Sequence, residues 1–432
     1  QDRPTTPDRS NQGPSRPPFT PENCKRAFDA AKHVLPWTVA YESVAADFAP
    51  RTLDVEGEWP DDVRGALFRN GPAKHERGAQ RYGHRWDGDG MVHRFELSAS
   101  PSHAARFVRT PKFVHEEAAG RLSHNAFGTY FDGTPALPEN IDDCNAANIS
   151  VVCNRTDELL ALWEPGSAVM VDPVTLQTRG FKVWSEATRG RAFSAHPKRE
   201  PGGRLWNFGA EPLEARLNVY AIGADGVLEH ARSIDVPDLP NVHDFAVTEN
   251  HLVFLLPPTP TNRRKLESGM SYAHAVEWMP SLGTRVLVIS KTSAQTRAYQ
   301  LPPLAIFHLS NAWEEGDGTI HLEFFGTPNP ATMMAGWTIM QGVYRHMPGA
   351  TLHLLTLPAD GQARLTPVPI EGEFPTVDPS TVGKRHEWVT FVGRGADVPQ
   401  DRPGYNELCG YRTADGTVDR YSFAGDVMLE EH

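Results

Sequence analysis

Three histidines stand where apolar runs begin or end: His196 in Ala195-His196-Pro197-Lys198, His243 in Val242-His243-Asp244-Phe245 and His308 in Ile306-Phe307-His308-Leu309. A fourth, His386 in Lys384-Arg385-His386-Glu387, sits among charges. Neutral imidazoles converging on one point make a metal site, and all-nitrogen ligation suits Zn, Cu, Fe or Ni. It leaves the charge of a divalent ion uncompensated, so carboxylates must lie outside the ligands. Taken singly, a histidine on a strand is more often a core or surface residue than a ligand. The first three are separated by 47 and 65 residues, so no single helix or hairpin brings them together. A closed or radially repeated fold does.

The elements that must position them read as strand, turn, strand. Asp225-Gly226 separates runs 217–222 and 227–234, Asp360-Gly361 separates 351–357 and 362–368, and Asp415-Gly416 separates 410–412 and 417–423. Asp-Gly between apolar runs is a strong hairpin signal, because both residues tolerate positive φ. Glu249-Asn250 repeats the idea between 245–248 and 252–256. Helical periods are scarce, the best spanning 21–34 and 263–278. Residues 1–22, rich in Pro, Ser, Arg and Asp, read as a disordered or loosely draped arm, with 34–48 running along the outside before the first strand. The pattern predicts an all-β fold of many four-stranded sheets, with irregular segments gathered on one face.

With 54 acidic against 42 basic residues, a net charge of −12, the chain lacks the basic surface that nucleic acid or an anionic membrane needs. No apolar stretch of about 18 residues exists for a spanning helix, which leaves peripheral membrane contact open. Cys24, Cys144, Cys153 and Cys409 are too scattered for a disulfide scaffold, so a reducing, cytoplasmic setting is expected. Asn148-Ile-Ser and Asn154-Arg-Thr fit the glycosylation pattern, a triplet that also arises by chance. Asp87-Gly88-Asp89-Gly90 suggests calcium, but the twelfth position of such a loop is Ser98 rather than glutamate, which favours a tight turn. Hydrolase, NTPase and nicotinamide chemistries lack their motifs.

Five strings occur together in order: Phe68-Arg69-Asn70-Gly71-Pro72; His84 with Trp86-Asp87-Gly88-Asp89-Gly90-Met91-Val92-His93; Ala195-His196-Pro197-Lys198; His243-Asp244-Phe245; and Phe307-His308 with Asn311-Ala312-Trp313-Glu314-Glu315. In these the chain resembles the carotenoid cleavage oxygenase family over nearly everything after about residue 46. The resemblance implies a seven-bladed β-propeller, here one domain over 23–432, whose axis holds a non-haem Fe(II) under a cap of loops and helices. It assigns His196, His243 and His308 to three of the four iron ligands, with the fourth expected beyond residue 432 along with the C-terminal part of the domain. His432 falls where the family has no ligand. Glu164 and Glu373 match carboxylates that orient ligand histidines, and a third is expected beyond the end of this sequence.

The implied activity is cleavage of a C=C bond by O2 into two carbonyl compounds, with no organic cofactor. The runs after His243 and around Trp313 resemble the stilbene- and isoeugenol-cleaving members, which points to a 4-hydroxyphenyl alkene as substrate. Tyr82 and Lys112 match the positions that hold the phenol oxygen there. A lysine facing a buried phenol favours the phenolate and pushes electron density into the alkene; the alternative is a snorkelling surface residue. Two other readings stay open: the same site acting on apocarotenoids, and a non-catalytic propeller binding an apolar ligand or partner. Oligomeric state is not encoded legibly.

Overall fold

The computed structural model describes residues 20–131, 134 and 138–431. Four four-stranded antiparallel sheets follow one another along the chain. The first joins Phe48–Thr52, Ser102–Phe107, Asp89–Leu97 and Gly65–Lys74, and the second runs from Ser150–Arg155 to Thr178–Phe181. The third starts at Lys198–Arg199 and the fourth at Ala246–Val247. A seven-stranded run from Ala305–Glu314 to Val418–Ser422 completes the order. Within it the long strand Arg364–Thr376 pairs with Ala350–Leu357 through its first part and with Trp388–Gly393 from Glu373 onward. This is the mostly β architecture that the turn spacing predicts.

Successive sheets pack face to face, and the core is the set of contacts between them. Leu160, Leu162, Leu205, Tyr220 and Ile222 join the second sheet to the third. Phe208, Leu217, Phe245, Leu252 and Phe254 join the third to the fourth, and Val253, Val286, Leu309 and Phe324 join the fourth to the seven-stranded run. A sheet covered on both faces needs apolar residues on both, which is why Glu158–Leu162 is buried at every position and His251–Leu256 at all but its first.

All three Asp-Gly turns form the expected hairpins; Gly226, for example, has φ of 77°. The helical expectations hold in part. A helix spans Pro21–Ala31, capped by the Thr20 side chain, so Pro21 and Glu22 belong to it rather than to an arm. Residues 1–19 lie outside the described residues. The 263–278 stretch forms two short helices, Arg263–Glu267 and Tyr272–Ala275, because Gly269 at φ 87° breaks the repeat between them. The four cysteines are free thiols. Asn148 and Asn154 are each 3% exposed and spend their amides on backbone and side-chain acceptors, so both triplets serve the fold. Among the described residues no helix is long and apolar enough to cross a membrane.

Candidate metal centre

Each histidine reaches the centre from a segment at or within a different sheet. His196 lies between the bridge residue Phe193 and the first strand of the third sheet, with its backbone N–H on the Ser194 hydroxyl at 3.2 Å. His243 occupies the loop that leads into Ala246–Val247. His308 lies inside Ala305–Glu314, where the ladder to the next strand shifts register between Ile306 and Leu309. Such a bulge re-aims side chains that a regular strand would alternate.

The three imidazoles converge. Nε2 of His196 lies 2.9 Å from Nε2 of His243, which lies 3.2 Å from Nε2 of His308. All three fall within 4.8 Å of one another, and His196 and His308 are each 8% exposed. Glu164, just after Glu158–Leu162, places a carboxylate oxygen 2.5 Å from His243 Nδ1, and Glu373 lies 2.8 Å from His308 Nδ1. An Nδ1–H that donates to a carboxylate leaves the lone pair on Nε2. Lone pairs aimed at one point repel one another unless a cation lies between them, so this donor set fits a metal ion.

Electrostatics point the same way. Burial disfavours a charged His308, yet the Glu373 and Glu431 carboxylates overcome it and push the imidazole up to about 9. His196 moves well below its ordinary range through burial, with His243, His308 and Lys198 adding to the effect. The carboxylates around the cluster thus favour positive charge at the centre.

A further carboxylate stands near the centre: Glu431 Oε1 lies 3.5 Å from His196 Nδ1 and 4.0 Å from His308 Nε2. His432 lies outside the described residues. His386 is elsewhere, paired with Glu323 at 3.2 Å and Asn311 at 3.0 Å.

An aromatic wall, unforeseen in the sequence, flanks the centre. The Phe307 ring centre is 5.6 Å from that of His243 and 5.6 Å from that of Trp86, which in turn is 5.3 Å from Phe127. Phe374 stands 5.0 Å from His308 on another side. The Asp87 turn is a brace for this wall rather than an ion loop. Its carboxylate accepts from Gly128 N at 2.8 Å and the Thr129 hydroxyl at 2.5 Å, and burial raises it to about 6 despite those bonds.

Tyr82 and Lys112 come together in the structure, both 0% exposed, with the ammonium 4.5 Å from the phenol ring centre. Lys112 therefore does not snorkel. It sits in the first turn of the helix Pro111–Ala119, whose buried face also carries Phe113 and Glu116. Its ammonium donates to Asp89 at 2.5 Å, Tyr82 donates its hydroxyl to Glu116 at 2.6 Å, and Arg77 bridges both carboxylates at 2.8 and 3.1 Å.

Comparison with known proteins places the chain. The model of the RPE65 family, retinal pigment epithelial membrane protein, matches residues 41–432. The apocarotenoid-15,15'-oxygenase of Synechocystis is 29% identical over 66% of this chain and 61% of its own length. The isoeugenol monooxygenase of Pseudomonas nitroreducens is 30% identical over 61% of this chain and 55% of its own length. The chain thus spans less than two thirds of these curated relatives. The crystal structure of cobalt-substituted Synechocystis apocarotenoid oxygenase superposes with a TM-score of 0.79 over 90% of this chain and 83% of that one, at 25% identity. This protein belongs to the RPE65, or carotenoid cleavage oxygenase, family.

Proposed function

We propose that this member of the RPE65 family is a non-haem Fe(II)-dependent oxygenase that cleaves a C=C bond with O2 into two carbonyl compounds, acting on 4-hydroxyphenyl alkenes. The convergence of three Nε2 atoms, borne on segments that lead into or lie within three different sheets, carries the reading. A seven-bladed propeller over 23–432 is the architecture that goes with it, supported by the run of successive sheets and the likeness to the Synechocystis oxygenase. Four free thiols fit a reducing, cytoplasmic setting.

His196, His243 and His308 would hold the iron, and Glu164 and Glu373 would keep each partner imidazole in its ligating tautomer. Fe(II) bound there supplies the binding and activation of O2. The chain's share is placement and exclusion of water. Phe307 beside His243, with Trp86 next to it, presents an apolar wall against which a flat conjugated substrate can stack. Tyr82 and Lys112 remain the proposed phenol anchor. An ammonium carries three protons and Asp89 takes one, while Glu116 at 3.8 Å is beyond hydrogen-bond reach. Both side chains are fully buried and already paired with Asp89 and Glu116, so a phenol oxygen would bind there by exchanging with these partners.

The names of the isoeugenol-cleaving relatives favour the aromatic substrate; the Synechocystis relative, matched over a longer stretch, supports an apocarotenoid as the second reading. Turnover of isoeugenol, a 4-hydroxystilbene, its 4-methoxy analogue and an apocarotenal by iron-loaded protein separates them. Equal turnover of the 4-hydroxy and 4-methoxy compounds would remove the phenol anchor. Failure to retain iron would favour a non-catalytic binding protein.

A further inference from the structure

A buried carboxylate stands beside all three histidine segments. Asp244 is 3% exposed, and each of its oxygens is used. Oδ2 accepts the backbone N–H of Leu309 at 2.8 Å. Oδ1 accepts the backbone N–H of Phe245 at 2.7 Å and pairs with the Lys198 ammonium at 2.8 Å. Lys198 lies two residues after His196, Asp244 directly after His243, and Leu309 directly after His308. One carboxylate, in the loop before Ala246–Val247, therefore touches the segment of every histidine in the cluster and ties strands of two other sheets.

The tie to Leu309 falls where it matters mechanically. The Ala305–Glu314 strand shifts register on both sides of Leu309, so its ladder holds that stretch less firmly than a regular strand. The Lys198 tie reaches a weakly held element too, the two-residue strand Lys198–Arg199. A buried ion pair taken alone adds little net stability. Its geometric effect is larger, since metal–ligand distances tolerate only about 0.2 Å of error.

We propose that Asp244 is a positioning residue that sets the spacing of His196, His243 and His308 by joining Lys198, Phe245 and Leu309. This rests on the metal-site reading above. The role calls for an acceptor with two oxygens: an asparagine of nearly equal size has one, and can serve Leu309 or Lys198 but not both.

The test titrates the whole chain with Co(II), read by visible absorption, for the unmodified protein, Asp244→Asn and Lys198→Met, with thermal melting of each metal-free form. Asp244→Asn should weaken Co(II) binding about 10- to 100-fold and change the shape of the cobalt bands, together with some lowering of the melting temperature from the broken pair with Lys198. Lys198→Met, which keeps the Leu309 and Phe245 bonds, should cost less affinity. Unmodified affinity and spectrum in Asp244→Asn would overturn the positioning role alone. So would a loss of affinity that merely tracks a lowered melting temperature with unchanged bands. If the unmodified protein took up no Co(II), the metal-site reading would fall, and this role with it.

Discussion

One oxygen of Glu373 accepts both the Nδ1–H of His308, at 2.8 Å, and the backbone N–H of the next residue, Phe374, at 2.6 Å. Phe374 adopts φ of 55°, a left-handed conformation unusual for a bulky side chain. That bend falls at the register break of Arg364–Thr376, where the strand passes from one partner to the next. The carboxylate is thus locked by its own backbone before it meets the imidazole. Glu373→Gln keeps the size and removes the charge, and should lower metal affinity about 10- to 100-fold without unfolding the protein. Iron content after desalting checks it, and full retention of iron would remove the role.

His243 is the middle member of the cluster, in contact with both other imidazoles. His243→Ala should leave only two of the three imidazoles and abolish stable iron binding together with any alkene cleavage. Elemental analysis at unchanged circular dichroism is the measurement; one iron per chain in this variant would rule out the triad.

Lys112 carries a structural load whatever its role toward substrate. Lys112→Met would leave Asp89 and Glu116 sharing Arg77, at 2.8 and 3.1 Å, as their remaining strong cation. Breaking a buried pair from one side costs about 3–5 kcal/mol, and Arg77 should hold the loss near the lower end. Tyr82→Phe removes one hydrogen bond to a charged acceptor and should cost about 1.5–3 kcal/mol. Urea denaturation measures both, and a neutral Lys112→Met would contradict the buried network.

Acid should destabilise the protein through His75 and His84. Burial depresses both to about 3 from an ordinary 6.5, so each is neutral when folded and its stability, full above 6.5, is lost as pH falls below that value. Asp87 opposes them. Burial raises it to about 6 from 3.8, so its stability is full below 3.8 and is lost as pH rises through 6. Between pH 6 and about 4 the unfolded chain therefore takes two protons where the folded one takes one. The net slope from these three groups is about 1.4 kcal/mol per pH unit. Denaturant midpoints at pH 6 and 5 check it, and equal stability at the two would show that the histidines are not held neutral.

Local chemistry was legible in the sequence. Asp-Gly at 225–226, 360–361 and 415–416 announced hairpins because few other pairs accept the backbone that such turns demand. The histidine motifs were legible as candidates, since residue type decides what an imidazole can do. Where residue type and neighbours leave the outcome open, sequence alone does not decide: helical spacing runs through 263–278, yet Gly269 in a left-handed turn divides it into two short helices. Distances across 47 and 65 residues depend on how sheets stack, and the tertiary structure alone decided that three Nε2 atoms meet. It alone decided that Asp244 reaches Lys198 and Leu309, and that Glu431 reaches His196. A side chain's type states which bonds it can make; only the packed fold brings the partner within reach.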